Sequence, residues 1–392
     1  MRSLLLASLA AAFSAIAALP HQPEVRGEAL GDCPGLSAKP LAKKAEDLRP
    51  DEISVVMAIG DSITAGLFAR PASDDLSPSM KSREADQHFF PGFKGFEEYR
   101  GVSFSTGGDA DAVTLANNIR YYNPDLKGQS YGHHRPPVLS KAFGHTPAND
   151  GLNAAKSGAK AKDLLSQVED YILPSLNEVG VETGEWKLMT LSIGANDVCD
   201  YCLAGNSTVG GPGSPEEFAD NVKKAIVAAR DNIPNLVIDL VGLFQVSSIY
   251  NLSRQQPPCT PLRLPPIFPT LPIECQCAWA PGPLGDASRK KMDALGEEYN
   301  QALQVVVAEL NAENRGDFMV IWQPGTFLSL ADFPTIALSP IDCFHPSREA
   351  HRRIGAGLWN RLTLPQNEKA LPMTWDEVDH VRCLRDDDRI RN

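Results

Sequence analysis

Residues 48–66 read LRPDEISVVMAIGDSITAG. An apolar, partly β-branched run from Ile53 to Ile59 stops at Gly60-Asp61-Ser62-Ile63, and a helix-compatible stretch, Ile63-Thr64-Ala65-Gly66, begins at once. A short continuous apolar run predicts a strand buried on both faces, as in a parallel sheet. A serine between such a strand and a helix start stands where open parallel sheets collect their ligands. The N–H groups of that helix start would face developing negative charge. Taken alone, the triplet reads sooner as a turn whose serine caps a helix, so its meaning rests on the rest of the chain.

Working outward, the same pattern recurs. Apolar runs at Leu188 to Ile193, Leu236 to Val241 and Phe318 to Trp322 read as further buried strands. Between them lie helix-like stretches: amphipathic Ala161 to Ile172, Pro215 to Asn232 with Ser214 as N-cap, and Ala287 to Asn314. A last helix is expected from Pro346 to Leu362, with Pro346 in its first turn. Strands alternating with helices predict an α/β fold whose parallel sheet is covered on both faces.

Three more islands carry polar chemistry: Asn153 to Gly158, Gly194-Ala195-Asn196-Asp197, and Asp342-Cys343-Phe344-His345. Gly194-Ala195-Asn196-Asp197 follows the strand ending at Ile193, so it shares the sheet edge of Ser62. A serine hydroxyl needs a base to act as a nucleophile. His345 can be that base, with Asp342 three residues earlier to orient its ring and stabilise the charged form. Asn196, Gly158 and the N–H of Ser62 can supply oxyanion donors, and glycine at 158 permits a close backbone approach. Asp197 is assigned to holding its loop. The ordinary alternatives are an Asx turn at Asn196-Asp197 and a structural loop histidine. His88, His133, His134, His145, His351 and His380 lack an equally good local carboxylate in a strand-loop-helix setting.

Composition bounds the rest. Of 392 residues, 43% are hydrophobic and 22% charged, which fits a well-cored globular chain. With 37 basic and 49 acidic residues the net charge is -12, which argues against nucleic acid and against electrostatic attraction to anionic membranes. Residues 1–18 read as a secretory signal: Arg2, an apolar run from Leu4 to Ile16, and small residues around Ala15-Ile16-Ala17. Eight cysteines and the sequons at Asn206 and Asn251 fit an oxidising, extracellular compartment. No later stretch is long and apolar enough to span a bilayer, and the charged segment Asp386 to Asn392 does not suit a lipid-anchor signal.

The cysteine spacing, CxxC at Cys199 and Cys202 but CxC at Cys275 and Cys277 with no histidine cluster, speaks against zinc. Four disulfides are expected among Cys33, Cys199, Cys202, Cys259, Cys275, Cys277, Cys343 and Cys383, with the pairing open. Two segments read as irregular insertions. One is Pro71 to Phe96, carrying Phe89, Phe90 and Phe93; the other is proline-rich Pro257 to Pro272, carrying Phe268. These four phenylalanines are candidate acyl-chain contacts, the alternative being ordinary surface loops.

The four islands, in this order, resemble the blocks of the SGNH (GDSL-type) hydrolase superfamily. The longer segments YRGVSFSTGGDADAVTLANNIRYYNPDLKG (99–128), GLNAAKSGAKAKDL (151–164), WKLMTLSIGANDVCDYC (186–202) and DCFHPSREAHRRIGAGLWNRL (342–362) resemble its phospholipase B branch. Similarity runs from about Cys33 to Cys383. It departs at Ile63, where the motif has leucine, and in the segment Pro71 to Tyr99, which looks longer than in the animal repeats.

The resemblance implies a three-layer α/β/α, flavodoxin-like hydrolase domain over 51–365, with extensions at 19–50 and 366–392. It also implies a metal-independent serine esterase without cofactor. Ser62 would be its nucleophile, His345 the base, Asp342 the partner of that base, and Ser62, Gly158 and Asn196 the oxyanion donors. Phospholipids or lysophospholipids are the expected substrates, met by a secreted monomer through transient contact with a lipid interface. Cys33 and Cys383 flank the similar region, so a bridge between them would tie both extensions to the domain. Alternatives are deacetylation of carbohydrate, a broad-range carboxylesterase, and a non-catalytic binding module that kept the fold.

Overall fold

The computed structural model describes residues 30, 33–69, 97–136, 145–200, 212–254, 275–280, 282–325, 333–371 and 374–392. Among these residues the centre is a parallel sheet of four strands in the order β1 (Ile53–Gly60), β2 (Trp186–Ser192), β3 (Leu236–Val241) and β4 (Phe318–Gln323). The register aligns Met57, Met189, Ile238 and Val320 across the sheet. Beyond β1, single parallel bridges from Lys127 to Val55 and from Asn153 to Ala58 stand where a fifth strand would run.

Side-chain alternation along the strands builds two cores. Val55, Met57, Ile59, Met189, Leu191, Ile238 and Val320 belong to one, and Val56, Leu188, Val237, Met319 and Ile321 to the other. Both faces are therefore covered, which is why the strands read as unbroken apolar runs rather than alternating ones.

The helices that matter here are α1 (Ser62–Ala65), α2 (Leu115–Tyr122), α3 (Ala195–Cys199), α4 (Pro215–Asn232), α5 (Val246–Arg254), α6 (Gly282–Ala312) and α7 (Arg348–Arg361). Crossovers β2-α4-β3 and β3-α6-β4 step the same way across the sheet, so right-handedness puts α4 and α6 on one face. Their buried residues Val222 and Leu303 join the first core. Leu115 of α2 and Trp359 of α7 join the second, completing three layers.

Boundaries follow local chemistry. The Ser214 hydroxyl accepts the Glu217 N–H and starts α4. The helix after β4 begins at Arg348 rather than at Pro346. Pro346 is held extended by a bridge to Leu338, and Ser347 caps the helix by accepting the Ala350 N–H. α6 starts at Gly282, five residues before the expected Ala287, with Pro283 tolerated in its first turn. The stretch from Ala161 continues past Ile172 to Glu178 and widens to a π-turn over Val168–Ile172, just before Pro174. Pro174 has no N–H to donate, so a regular ladder cannot pass it.

Cys33 is joined to Cys383 and Cys199 to Cys275. Cys343 is half of a further disulfide. Cys202, Cys259 and the Cys277 side chain lie outside the described residues, as do the signal-like segment 1–18, Asn206, Phe89, Phe90, Phe93 and Phe268. Both terminal segments pack into the second core: Leu30, Leu48 and Ile390 are buried with Trp359, and the Ile390 N–H donates to the Leu48 carbonyl. Among the described residues no helix is long and apolar enough to cross a membrane.

Candidate active site

Ser62 is the first residue of α1, directly beyond β1. Asp61 caps that helix: its carboxylate accepts the Ile63 N–H at 3.0 Å, and Gly66 ends the turn at φ 75°. The strand end is clamped from behind. Gln167 both accepts the Gly60 N–H and donates to the Gly60 carbonyl, each at 2.8 Å. A Cβ at Gly60 would meet the Ser192 carbonyl oxygen at 2.4 Å, so only glycine lets β1 and β2 close up behind the serine.

The loop from Asp342 to His345 is bent by Cys343, whose φ of 60° lies in the left-handed region. The bend lets one Asp342 oxygen accept two N–H groups, from Phe344 and His345, each at 3.1 Å. The other carboxylate oxygen accepts His345 Nδ1–H. With its proton on Nδ1, the ring presents Nε2 as an acceptor, and Nε2 lies 2.7 Å from Ser62 Oγ. Phe68 packs edge-on against the same ring, with centroids 5.6 Å apart. All three side chains are buried, so their hydrogen bonds act with little competition from water.

The other two islands meet beside this relay. Asn196, in the first turn of α3, donates its amide to the Ala159 carbonyl at 2.9 Å. Asp197 accepts the Ala161 N–H, holding the loop as expected. Gly158, directly before Ala159, has a φ of 82°, and the space beside its α-carbon is open. The same loop docks on the nucleophile strand through the Lys156 N–H to the Gly60 carbonyl, 3.2 Å. The fold thus brings Ser62, Asp342, His345, Asn196 and Gly158 to one edge of the sheet.

Sequence reasoning misses the support beneath this loop. Arg100 and Glu98 are fully buried and paired at 2.5 Å. Arg100 donates to the carbonyls of Asn153 and Ala155, at 3.0 and 2.7 Å. Glu98 accepts the Ser157 hydroxyl at 2.6 Å and its N–H at 3.3 Å, one residue before Gly158.

Behind this pair, Asp150 takes His134 Nε2 at 2.6 Å and His145 Nδ1 at 3.1 Å. Burial alone would raise the Asp150 pKa, but the Arg100 charge and the two imidazoles hold it well below the usual carboxylate range. Burial also opposes the charged form of His134, yet Asp150 outweighs it and raises that pKa; His145 goes down, with burial dominant. Neither pairing is legible in local sequence, because the fold orients Asp150 towards both rings.

His351, also passed over, accepts the Phe104 N–H at 3.2 Å and is pushed down to about 3 by burial and the charge of His345, so it stays neutral. Asp61 goes the other way: burial pushes it up to about 6, against the Ile63 N–H and the charge of His345.

Among the described residues no group of three or more His, Cys, Asp or Glu side chains is placed to hold a metal ion. Asn251 is exposed on α5.

A family model described as GDSL-like Lipase/Acylhydrolase matches residues 56–358. The chain is 29% identical over 352 residues to the human protein "Phospholipase B1, membrane-associated", covering 86% of this chain and 21% of that protein. It is 28% identical over 346 residues to the rat protein of the same name, with the same coverage. This chain thus spans about a fifth of the length of these relatives. Among solved structures it is similar to an acetylxylan esterase from Geobacillus stearothermophilus, at 15% identity and TM-score 0.36, covering 77% of this chain and 90% of the other.

Proposed function

The chain belongs to the GDSL-like lipase/acylhydrolase family, and from that premise we propose that it is a secreted carboxylic ester hydrolase that releases fatty acids from phospholipids and lysophospholipids. The observation that carries this reading is the buried relay from Asp342 through His345 to Ser62 Oγ at the carboxyl edge of the sheet. The lipid part of the reading is supported by the name of the human and rat relatives. Secretion is supported by the disulfides and the signal-like first eighteen residues.

In the proposed reaction Ser62 Oγ attacks the ester carbonyl carbon while its proton passes to His345 Nε2. Negative charge collects on the carbonyl oxygen, where the N–H groups of Ser62 and Gly158 and the Asn196 amide are the proposed donors, each contributing about 3 kcal/mol. The carbon–oxygen bond to the alcohol breaks, and the alcohol leaves with the proton held on Nε2. A water molecule then gives a proton to Nε2 and attacks the acyl carbon; the bond from that carbon to Ser62 Oγ breaks, Oγ takes the proton back from Nε2, and the acid leaves. Asp342 holds the ring in place and stabilises the transient imidazolium.

The test is release of fatty acid from phosphatidylcholine micelles. The wild-type chain should release it and Ser62→Ala should not; full release by the variant would sink the assignment.

A further inference from the structure

A cavity of about 90 Å³ lies at the carboxyl edge of the sheet, among residues of α1, α5, α7 and the segment before His345. Its wall is apolar: Phe244, Leu252, Phe333 and Leu338 line it, and Ser192 contributes the only side-chain hydroxyl among its described residues. Two further wall residues tie it to the reacting groups. Ile63 directly follows Ser62, and Phe344 directly precedes His345. The ends of β3 and β4 close in beneath it. A Cβ at Gly325 would sit 1.9 Å from the Gly242 carbonyl oxygen, and both glycines line the space.

Protein interiors rarely leave a void larger than a water molecule. This space is open on one side, so an apolar guest entering it would release water that finds few polar partners along the wall. No charged side chain lines it among the described residues, so a sugar or a phosphate headgroup would lose its water there without gaining partners.

We propose that this cavity receives the proximal methylenes of the acyl group that the substrate presents to Ser62. The proposal rests on the ester-hydrolase reading above and adds where the chain goes. It takes the acyl contact from the insertions carrying Phe89, Phe90, Phe93 and Phe268 to the walls formed by α5 and the segment Phe333 to Phe344. A cavity of this size holds only the start of a long chain; the remainder must run out through its mouth. Each methylene moved from water to such a wall favours binding about fourfold, so preference should climb from acetyl esters towards medium-chain ones.

The experiment measures kcat/KM for p-nitrophenyl esters from acetyl to dodecanoyl, together with labelling rates for alkyl fluorophosphonates of matching length. Ala337, buried in the wall, is changed by Ala337→Phe to fill the cavity; half-buried Phe244 is changed by Phe244→Ala to enlarge it. The filled variant should lower the octanoyl-to-acetyl ratio at least tenfold, and the enlarged variant should move the optimum to longer chains. Ratios unchanged in both variants, by both readouts, would overturn the proposal while leaving ester hydrolysis standing. A wild-type chain that cleaves no ester of any length and resists every fluorophosphonate would instead overturn the hydrolase reading itself. If Ala337→Phe loses its folded circular dichroism spectrum, the Phe244→Ala profile decides.

Discussion

Replacing Asp342 by asparagine isolates the tautomer that the relay depends on. One oxygen of Asp342 serves two backbone N–H groups, those of Phe344 and His345, and the other serves His345 Nδ1–H. An asparagine in the same rotamer must choose which side receives its oxygen. Turning the amide nitrogen to the backbone would leave two buried N–H groups facing donors, at about 1–3 kcal/mol each. The oxygen should therefore stay with the backbone and the NH₂ should face Nδ1. Nδ1 must then accept, so the ring proton moves to Nε2 and points at Ser62 Oγ, 2.7 Å away. A histidine in that tautomer donates to the serine and cannot take its proton. A change of this kind in a serine triad lowers kcat about ten-thousandfold, or about 5 kcal/mol of barrier. Since the loop keeps both backbone hydrogen bonds, its folding stability should change by less than about 1 kcal/mol. The assay pairs p-nitrophenyl butyrate hydrolysis with urea denaturation of the same preparation. Activity within tenfold of wild type in a folded variant would refute the assigned role of Asp342.

Two other perturbations test what surrounds the relay. Glu98→Gln should cost about 3 kcal/mol of stability, the low end for breaking a buried pair because Asp150 still lies 3.4 Å from Arg100. It should also lower kcat more than it raises KM, since the Ser157 tether beside Gly158 is loosened; equal kcat and stability would discard the bracing role. Asp61→Asn keeps the helix cap but removes a carboxyl whose pKa rises from 3.8 to about 6 on burial. That wild-type group contributes stability fully present below its unfolded pKa and lost as pH rises through about 6. Since the unfolded carboxyl is already more than half ionised at pH 4, the variant should gain on wild type by about 2 kcal/mol between pH 4 and pH 8. Urea denaturation at both pH values checks this, and parallel changes would refute it.

The sequence by itself determined the fold class and the residue types at the site. Strands β1 to β4 are written as apolar runs because both faces of a parallel sheet are buried, and Ser214 or Asp61 caps a helix through atoms only two or three residues away. Turn chemistry is similarly local, which is why Asp342 and His345 are legible as a pair three residues apart. Local pattern went astray where a distant contact decided: Pro346 is drawn into a bridge with Leu338 instead of opening α7.

Tertiary structure alone decided the distances. It placed His345 against Ser62 across 283 residues, Gln167 on Gly60 across 107, and Glu98 under Ser157 across 59. It also turned Asp150 towards two histidines and left an apolar space beside Ile63 and Phe344. Hydrogen bonding and periodicity act over a turn of chain and leave their mark in short windows. Burial of a charge and the shape of a void depend on which segments the whole fold packs together, and no short window records that.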